Sequence, residues 1–309
     1  MEIIHVNDST RIGTETAATV GFFDGVHRGH RFLIDRLKQS AGETGLKTAV
    51  ITFPVHPRKV LQQDYQPKLL NTLEERFRQL ASTGVDYCYV IDFTKEFSET
   101  TAQDFIQRIL HNQWQVKELL VGYDHRFGKG GADEYAQYAA YGKACGLKVV
   151  PAERFPEKDG HTSSTAIRRL LAEGKMKEAA ESLSYPYSLA GKVIHGDHKG
   201  RTIGFPTANM DLDDKDKMIP QDGVYAVRVQ VGRENYQGMA YIGKRPTVSS
   251  AGEQRIEVHI FDFDRDIYGE CIRVELTDFI RPDVHFAGLD ALKNQLAKDK
   301  AVIYQQTNN

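Results

Sequence analysis

The sequence predicts two domains of different class: an α/β domain with a parallel sheet over residues 1–183, and an antiparallel β-barrel with a terminal helix over residues 184–309. Three observations lead there. In the first part, short continuous apolar runs alternate with amphipathic segments, the pattern of strands buried on both faces and covered by helices. From Ser188 onward the runs alternate polar with apolar residues and follow one another without intervening helical segments. Finally, 309 residues is the length of about two ordinary domains.

Each element follows from its local pattern. The run 17–20 (AATV) ends a first strand at Val20, and 48–53 (TAVITF), 87–93 (YCYVIDF), 118–123 (ELLVGY) and 147–152 (LKVVPA) supply four more. Helices are expected at 31–40, 73–82, 101–111 and 132–145. Ser163 and Ser164 offer capping hydroxyls ahead of a helix over 165–173, which carries Ile167, Leu170 and Leu171 on one face. Gly174 ends that helix, and 175–183 forms a short further one. The tract 184–187 (SYPY) marks the change of pattern. Beyond it, strands are expected at 188–195, 223–231, 236–242, 256–263 and 271–279. The last segment spaces Leu289, Leu292, Leu296 and Ile303 as an amphipathic helix that could close the barrel.

A hydrophobic content of 40%, a charged content of 27% and a formal charge of −2 are those of an ordinary globular chain. They argue against a general nucleic-acid or membrane-surface role, although local basic sites for phosphates are compatible with them. The three cysteines, Cys88, Cys145 and Cys271, are scattered and form no CxxC pair, so a reducing cytoplasm is expected. No basic segment followed by an apolar one marks a signal peptide, and no window reaches the ~20 apolar residues of a membrane helix. Oligomeric state is not readable from the sequence.

The densest chemistry lies in GFFDGVHRGH, residues 21–30, directly after the first strand. Gly21, Gly25 and Gly29 let the backbone turn and approach a ligand closely. The next segment is helical, so His30 stands near a helix N-terminus, where free N–H groups attract phosphate. The carboxyl end of a parallel strand is also where open α/β sheets bind ligands. His27 and His30 could donate to phosphate oxygens as charge builds there. The His-x-x-His spacing also suits a metal pair, though it lacks the HExxH glutamate and an obvious third ligand. A glycine-rich loop with surface histidines is the plainer alternative. GxxxxGK[ST] is absent from the stretch, which excludes a Walker-type loop there.

GxFDGxHxGH resembles the signature of the HxGH nucleotidylyltransferases, and specifically the N-terminal half of bacterial bifunctional riboflavin kinase/FAD synthetases. Three further motifs match in order. TFPVHP (52–57) resembles TFxPHP, with Val55 in place of the usual proline. GYDHRFG (122–128) resembles GxDFxFG, with His125 for the more frequent phenylalanine, and SSTAIR (163–168) resembles SSTxIR. The resemblance implies a Rossmann-like domain that transfers AMP from ATP to FMN. It implies an ATP site formed by Gly21, Phe22, Asp24, Gly25, His27 and His30 on one side and Ser163, Ser164, Thr165 and Arg168 on the other. His27, His30 and Arg168 would carry the catalysis, Arg168 through its forked donors. His56, Arg58, Asp124 and Phe127 are weaker picks for the flavin. Read without the family, Arg168 is a solvated helix residue and Asp124 a turn former.

A second constellation opens the second domain: GKVIHGDHKGRTIGFPTAN, residues 191–209. Its glycines imply a tightly turned loop, Lys199 and Arg201 suit phosphates, and Thr207 and Asn209 are hard oxygen ligands compatible with Mg²⁺. A β-turn with incidental glycines is the bland alternative. GxxxGRxxGFPTAN resembles the riboflavin kinase signature, and the match continues through Gly223-Val224-Tyr225, residues 242–247, Glu257-Val258-His259 and 266–269. By resemblance, Gly196, Lys199, Gly200, Arg201, Gly204, Pro206, Thr207 and Asn209 hold ATP, the last two also Mg²⁺. Glu257 is the base for the riboflavin 5′-hydroxyl, and Tyr225, Arg281 and Phe286 are weaker flavin contacts. On its own, Glu257 is only a polar residue of an alternating strand. Two positions depart from the pattern: Tyr241 stands where asparagine is frequent, and Asp283 replaces the glutamate of RxExxF.

The expected activity is therefore double: riboflavin to FMN with Mg²⁺–ATP, then FMN to FAD with a second ATP and release of pyrophosphate. The alternatives are a chain that keeps one activity, or a flavin-binding regulatory homologue without catalysis.

Overall fold

In the computed structural model, described for residues 1–7, 9–62, 64–66, 68–122, 126–129, 134–156, 162–196, 199–212, 214–244 and 254–307, the chain divides into two compact units, Met1–Ser164 and Thr165–Asn309. The first holds a six-stranded sheet in the order β1-β4-β3-β2-β5-β6, every neighbouring pair parallel. Its strands are β1 (Glu2–Val6), β2 (Thr16–Val20), β3 (Lys47–Thr52), β4 (Tyr87–Ile91), β5 (Val116–Val121) and β6 (Lys148–Pro151). The sequence passes over β1, which is short and edge-placed, and which pairs with β4.

β2 lies between β3 and β5, and all five of its residues are buried. The chain leaves β2 toward β3 and β4 on one side and returns to β5 on the other. The carboxyl ends of β2 and β5 thus flank a topological switch point, and the glycine–histidine loop follows β2. Helix α1 (Arg28–Thr44) begins there, capped by His27, and ends at Gly45, whose N–H donates to Ala41. Ile34, Leu37 and Ala41 form its buried stripe. Short α2 (Pro57–Leu61) follows β3, and α3 (Leu73–Ala81) starts with a capping box between Thr72 and Glu75. A short α4 (Lys95–Ser98) precedes α5 (Ala102–Asp104), which runs into a π-helical stretch over Phe105–Gln113, and α6 (Tyr135–Cys145) leads to β6.

Helices α7 (Ser164–Ala172) and α8 (Met176–Leu183) come next. The pattern of the sequence changes at 183/184, but α8 packs on β7 (Tyr187–Ile194) and β12 (Cys271–Arg281), burying Met176, Ala179 and Leu183. These two helices, apart from Ser164, therefore group with the barrel.

The barrel closes entirely through strand pairing, in the order β10-β11-β8-β7-β12-β9, with every pair antiparallel. Its remaining strands are β8 (Ala208–Leu212), β9 (Gly223–Val231), β10 (Glu234–Lys244) and β11 (Gln254–Ile260). The terminal helix α10 (Leu289–Thr307) does not close the barrel; it packs on it, with Ile303 and Leu296 against Met239, Ala226 and Phe261. β8 was not expected, because ANMDL is polar and poor in β-formers. It is a strand because β7 and β11 take both its edges. The short α9 (Lys199–Thr202) precedes it.

Candidate active sites

In the first unit the loop after β2 is bent hard. Phe23 (φ 56°), Gly25 (φ 82°) and Val26 (φ 38°) all take left-handed backbone, two of them against the preference of side chains with a Cβ. The turn brings His27 to the N-cap of α1, where its Nδ1 accepts from the His30 N–H at 3.4 Å. Accepting at Nδ1 puts the proton of neutral His27 on Nε2. The two imidazoles stack, with centroids 3.7 Å apart and planes 18° from parallel.

Asp24, expected to touch ATP, has a structural task. Its buried carboxylate accepts from the backbone N–H of Leu70 at 2.9 Å and of Asn71 at 3.2 Å, pinning the segment ahead of α3. Its own carbonyl accepts from the Ser164 hydroxyl at 2.9 Å. That bond joins the first motif to the fourth across 140 residues of sequence. Ser163 and Thr165 are exposed and Arg168 half-buried, on or beside the first turns of α7.

Arg76, which sequence reasoning missed, holds two motifs together. Its guanidinium donates to the carbonyls of Phe22 at 2.9 Å, Phe53 at 2.6 Å and Pro54 at 3.3 Å, and lies 4.1 Å from the Phe22 ring centroid. Burial lowers its pKa to about 10, against the opposing pull of Asp24, so it stays cationic at neutral pH. The one signal was position: on α3, Arg76 falls on the stripe of Leu73, Phe77 and Leu80, where a charged residue needs a partner. Arg76→Met takes the guanidinium donor from the Phe53 and Pro54 carbonyls, while the Phe22 carbonyl keeps the Thr52 hydroxyl. It should cost about 3 kcal/mol or more of stability and depress chemistry at this loop, as thermal unfolding and turnover assays would show.

Gly21 packs on the Phe23 ring, and the Phe22 ring meets His56 edge-on at 4.6 Å. His56 caps α2 by accepting from the Arg58 N–H at 3.2 Å. Phe127 stacks on Tyr138 at 4.2 Å and lines an aromatic cavity of about 180 Å³ with Val20, Phe53, Phe93 and Phe105. Asp124 lies outside the described residues.

In the second unit the expected kinase residues converge. The Thr207 hydroxyl donates to Glu257 Oε2 at 3.0 Å, and Asn209 faces Glu257 across the β8–β11 register. Arg255 Nε donates to Asn209 Oδ1 at 3.2 Å and forms an ion pair with Glu257 Oε1 at 2.9 Å. Gly196 makes room for this cluster, since a Cβ there would stand 2.1 Å from the Asn209 amide nitrogen. Arg255 was missed, although RIEVH signals it: Arg255, Glu257 and His259 share one face of an alternating strand. That polar face is turned toward a cavity, not toward bulk water.

Two cavities meet at Thr207. The first, about 330 Å³, is lined by Gly200, Asn209, Glu257, Arg281 and Phe286 together with apolar residues of α10. The second, about 570 Å³, is lined by Arg201, Pro206, Arg265, Asp266 and Tyr268. Gly204 turns the chain between them with φ 84°. Nothing is described of the Lys199 side chain. Arg281 lines the first cavity but is also gripped by buried Asp299 at 2.9 Å, which fixes α10 to the barrel. Tyr225, picked as a flavin contact, is fully buried and donates to the Gln221 carbonyl. It packs in the core, while its neighbour Val224 lines the cavity.

His259 donates from Nδ1 to the Pro206 carbonyl at 2.7 Å and so holds the peptide preceding Thr207. Burial pushes its pKa below the ordinary 6.5. The neutral imidazole's contribution to stability is then complete above that value and is lost as pH falls through the lowered one. Urea midpoints should drop between about pH 7 and pH 5, and the drop should be smaller in His259→Gln; an identical drop would contradict this role.

Comparison with known proteins agrees with this division. The FAD synthetase family profile matches residues 9–166, and the riboflavin kinase profile matches residues 183–307. The bifunctional riboflavin kinase/FMN adenylyltransferase of Listeria monocytogenes is 43% identical over 91% of this chain and 89% of its own. Its namesake from Bacillus subtilis is 38% identical over 97% of this chain and 96% of its own. A crystal structure described as a macrolide-efflux protein from Streptococcus pneumoniae superposes with a TM-score of 0.87 at 34% identity, over 98% of this chain and 99% of that one. Among the described residues, no helix is long and apolar enough to cross a membrane. With both profiles in order and close relatives over nearly the whole length, the chain belongs to the bifunctional riboflavin kinase/FMN adenylyltransferase family.

Proposed function

We infer that this chain phosphorylates riboflavin to FMN with ATP and then transfers AMP from a second ATP to FMN, giving FAD and pyrophosphate. The observation that carries the first reaction is Thr207, which is bonded to Glu257 and lines both cavities of the barrel unit. The apolar cavity with Phe286 suits a flat flavin ring, and the one with Arg201 and Arg265 suits a triphosphate. Glu257 accepts the proton of the riboflavin 5′-hydroxyl, the freed oxygen attacks the γ-phosphorus of ATP, and ADP leaves. Thr207 and Asn209 offer hard oxygens that fit Mg²⁺, which when bound offsets the charge of the phosphates. Arg255 holds the Glu257 carboxylate in place.

The second reaction is assigned to the loop after β2. Here an FMN phosphate oxygen attacks the α-phosphorus of ATP, and the protein's work is alignment and charge stabilisation. His27 and His30 donate to the phosphate oxygens, with Ser163, Ser164, Thr165 and Arg168 assigned to the same nucleotide by the motif. The aromatic cavity beside Phe127 suits the isoalloxazine ring of FMN, and His56 and Arg58, which flank its lining residue Pro57, are assigned to the flavin by the motif. We assign the adenylyltransferase to residues 1–183 and the kinase to 184–309. The reactants are small molecules, and free cysteines fit a reducing cytoplasm.

Labelled ATP separates the two steps. Label from the γ-position should enter FMN, and label from the α-position should enter FAD alone. Label from the α-position in FMN, or none in FAD, would contradict the assignment.

A further inference from the structure

We propose that Tyr241 is a positioning residue for the phosphoryl acceptor: its hydrogen bond to Asp283 latches the segment 282–288 across the mouth of the first barrel cavity and so sets riboflavin affinity. The proposal rests on the kinase reading of that cavity.

Tyr241 sits on β10 directly opposite Glu257 of β11, and both side chains line the cavity. The Tyr241 hydroxyl donates to Asp283 Oδ2 at 3.0 Å. Burial, and next this bond, push the Tyr241 phenol up to about 12, which keeps it a donor at any working pH. Asp283 belongs to an irregular connection between β12 and α10 that has no strand or helix bonds of its own to hold it. Val284, Phe286 and Leu289 lie on or just after that connection and line the same cavity. Val284 is 47% and Leu289 58% exposed, apolar surface at a cavity rim that a flat aromatic ring would cover.

The connection is held at two points. At its start, Arg281 is bound to Asp299 and lies 5.5 Å from the Phe286 ring centroid. Further on, the hold is Tyr241. The phenol's direction is itself fixed, because it lies against Gly243, where a Cβ would come within 2.1 Å of the phenol oxygen. Tyr241 and Asp283 are the two positions at which the second domain departs from the motif pattern, and the structure makes them partners. The longer side chain at 241 spans to the shorter one at 283, so the two departures compensate in length.

Tyr241→Phe keeps the ring and removes only the donor. Riboflavin Kd, read by quenching of its fluorescence, and KM for riboflavin should both rise about five- to tenfold. Turnover number and KM for ATP should change less than twofold. Amide exchange over 283–289 should quicken even with no flavin present. Asp283→Ala should match it, and the double variant should be no worse than either single one. Gly243→Ala, which displaces the phenol, is the independent second route to the same effects. Conversion of supplied FMN to FAD should stay at the wild-type rate in every variant and reports their folding. Unchanged riboflavin Kd in Tyr241→Phe, additive effects in the double variant, or a fall in turnover with KM unchanged would each overturn the latch. Failure of the wild-type protein to make FMN would instead remove the kinase reading on which it rests.

Discussion

Glu257→Gln should lower riboflavin phosphorylation by about 10³-fold, while conversion of supplied FMN to FAD continues at the wild-type rate. The amide keeps the shape of the carboxylate and can still accept from Thr207, so β8 and β11 stay paired. What it loses is the basicity needed at the attacking hydroxyl and the charge that engages Arg255. Loss of both reactions in a folded variant would contradict the division of labour between the two units. Riboflavin binding should survive, since the cavity walls are otherwise intact.

The second large effect is expected from His27→Ala combined with His30→Ala. FAD formation should fall by about 10²–10³-fold, with riboflavin phosphorylation unaffected. The two rings stack at 3.7 Å and His27 caps α1, so the double variant also loses the cap, at about 1 kcal/mol. A His27→Asn variant restores a capping side chain without an imidazole. If His27→Asn recovers stability but not FAD formation, the imidazole acts on the phosphates and not merely on the helix. Undiminished FAD formation in the double variant would remove both histidines from the chemistry.

Much of this was legible in advance, and the exceptions share a cause. The parallel and antiparallel patterns could be read because buried strands are written in their own side chains, as in TAVITF and GVYAVRVQV. β1 and β8 could not, since each depends on neighbours distant in sequence: β4 for the one, β7 and β11 for the other. The motifs point to two candidate sites but not to each residue's task. Asp24 carries a structural task that the motif does not announce: its carboxylate is held by backbone N–H groups of Leu70 and Asn71, and backbone donors leave no trace in a sequence. Tyr225 was drawn in by its neighbours, whereas strand alternation turns it into the core and Val224 to the cavity. Arg76 and Arg255 went unnoticed for the same reason. Both are ordinary charged residues until the fold brings carbonyls to one and Glu257 with Asn209 to the other.

The Tyr241–Asp283 contact extends the same lesson. Two positions that seemed only to weaken the match to a motif prove to be joined by one hydrogen bond at the rim of the first barrel cavity.

If one chain carries two consecutive reactions at separate sites, FMN is the product of one and the substrate of the other. A time course of riboflavin, ATP and Mg²⁺ with the purified protein, resolved by chromatography, tests it most directly. FMN should appear first, pass through a maximum, and give way to FAD as pyrophosphate accumulates. Riboflavin that remains unchanged, or FMN that accumulates without ever yielding FAD, would contradict it.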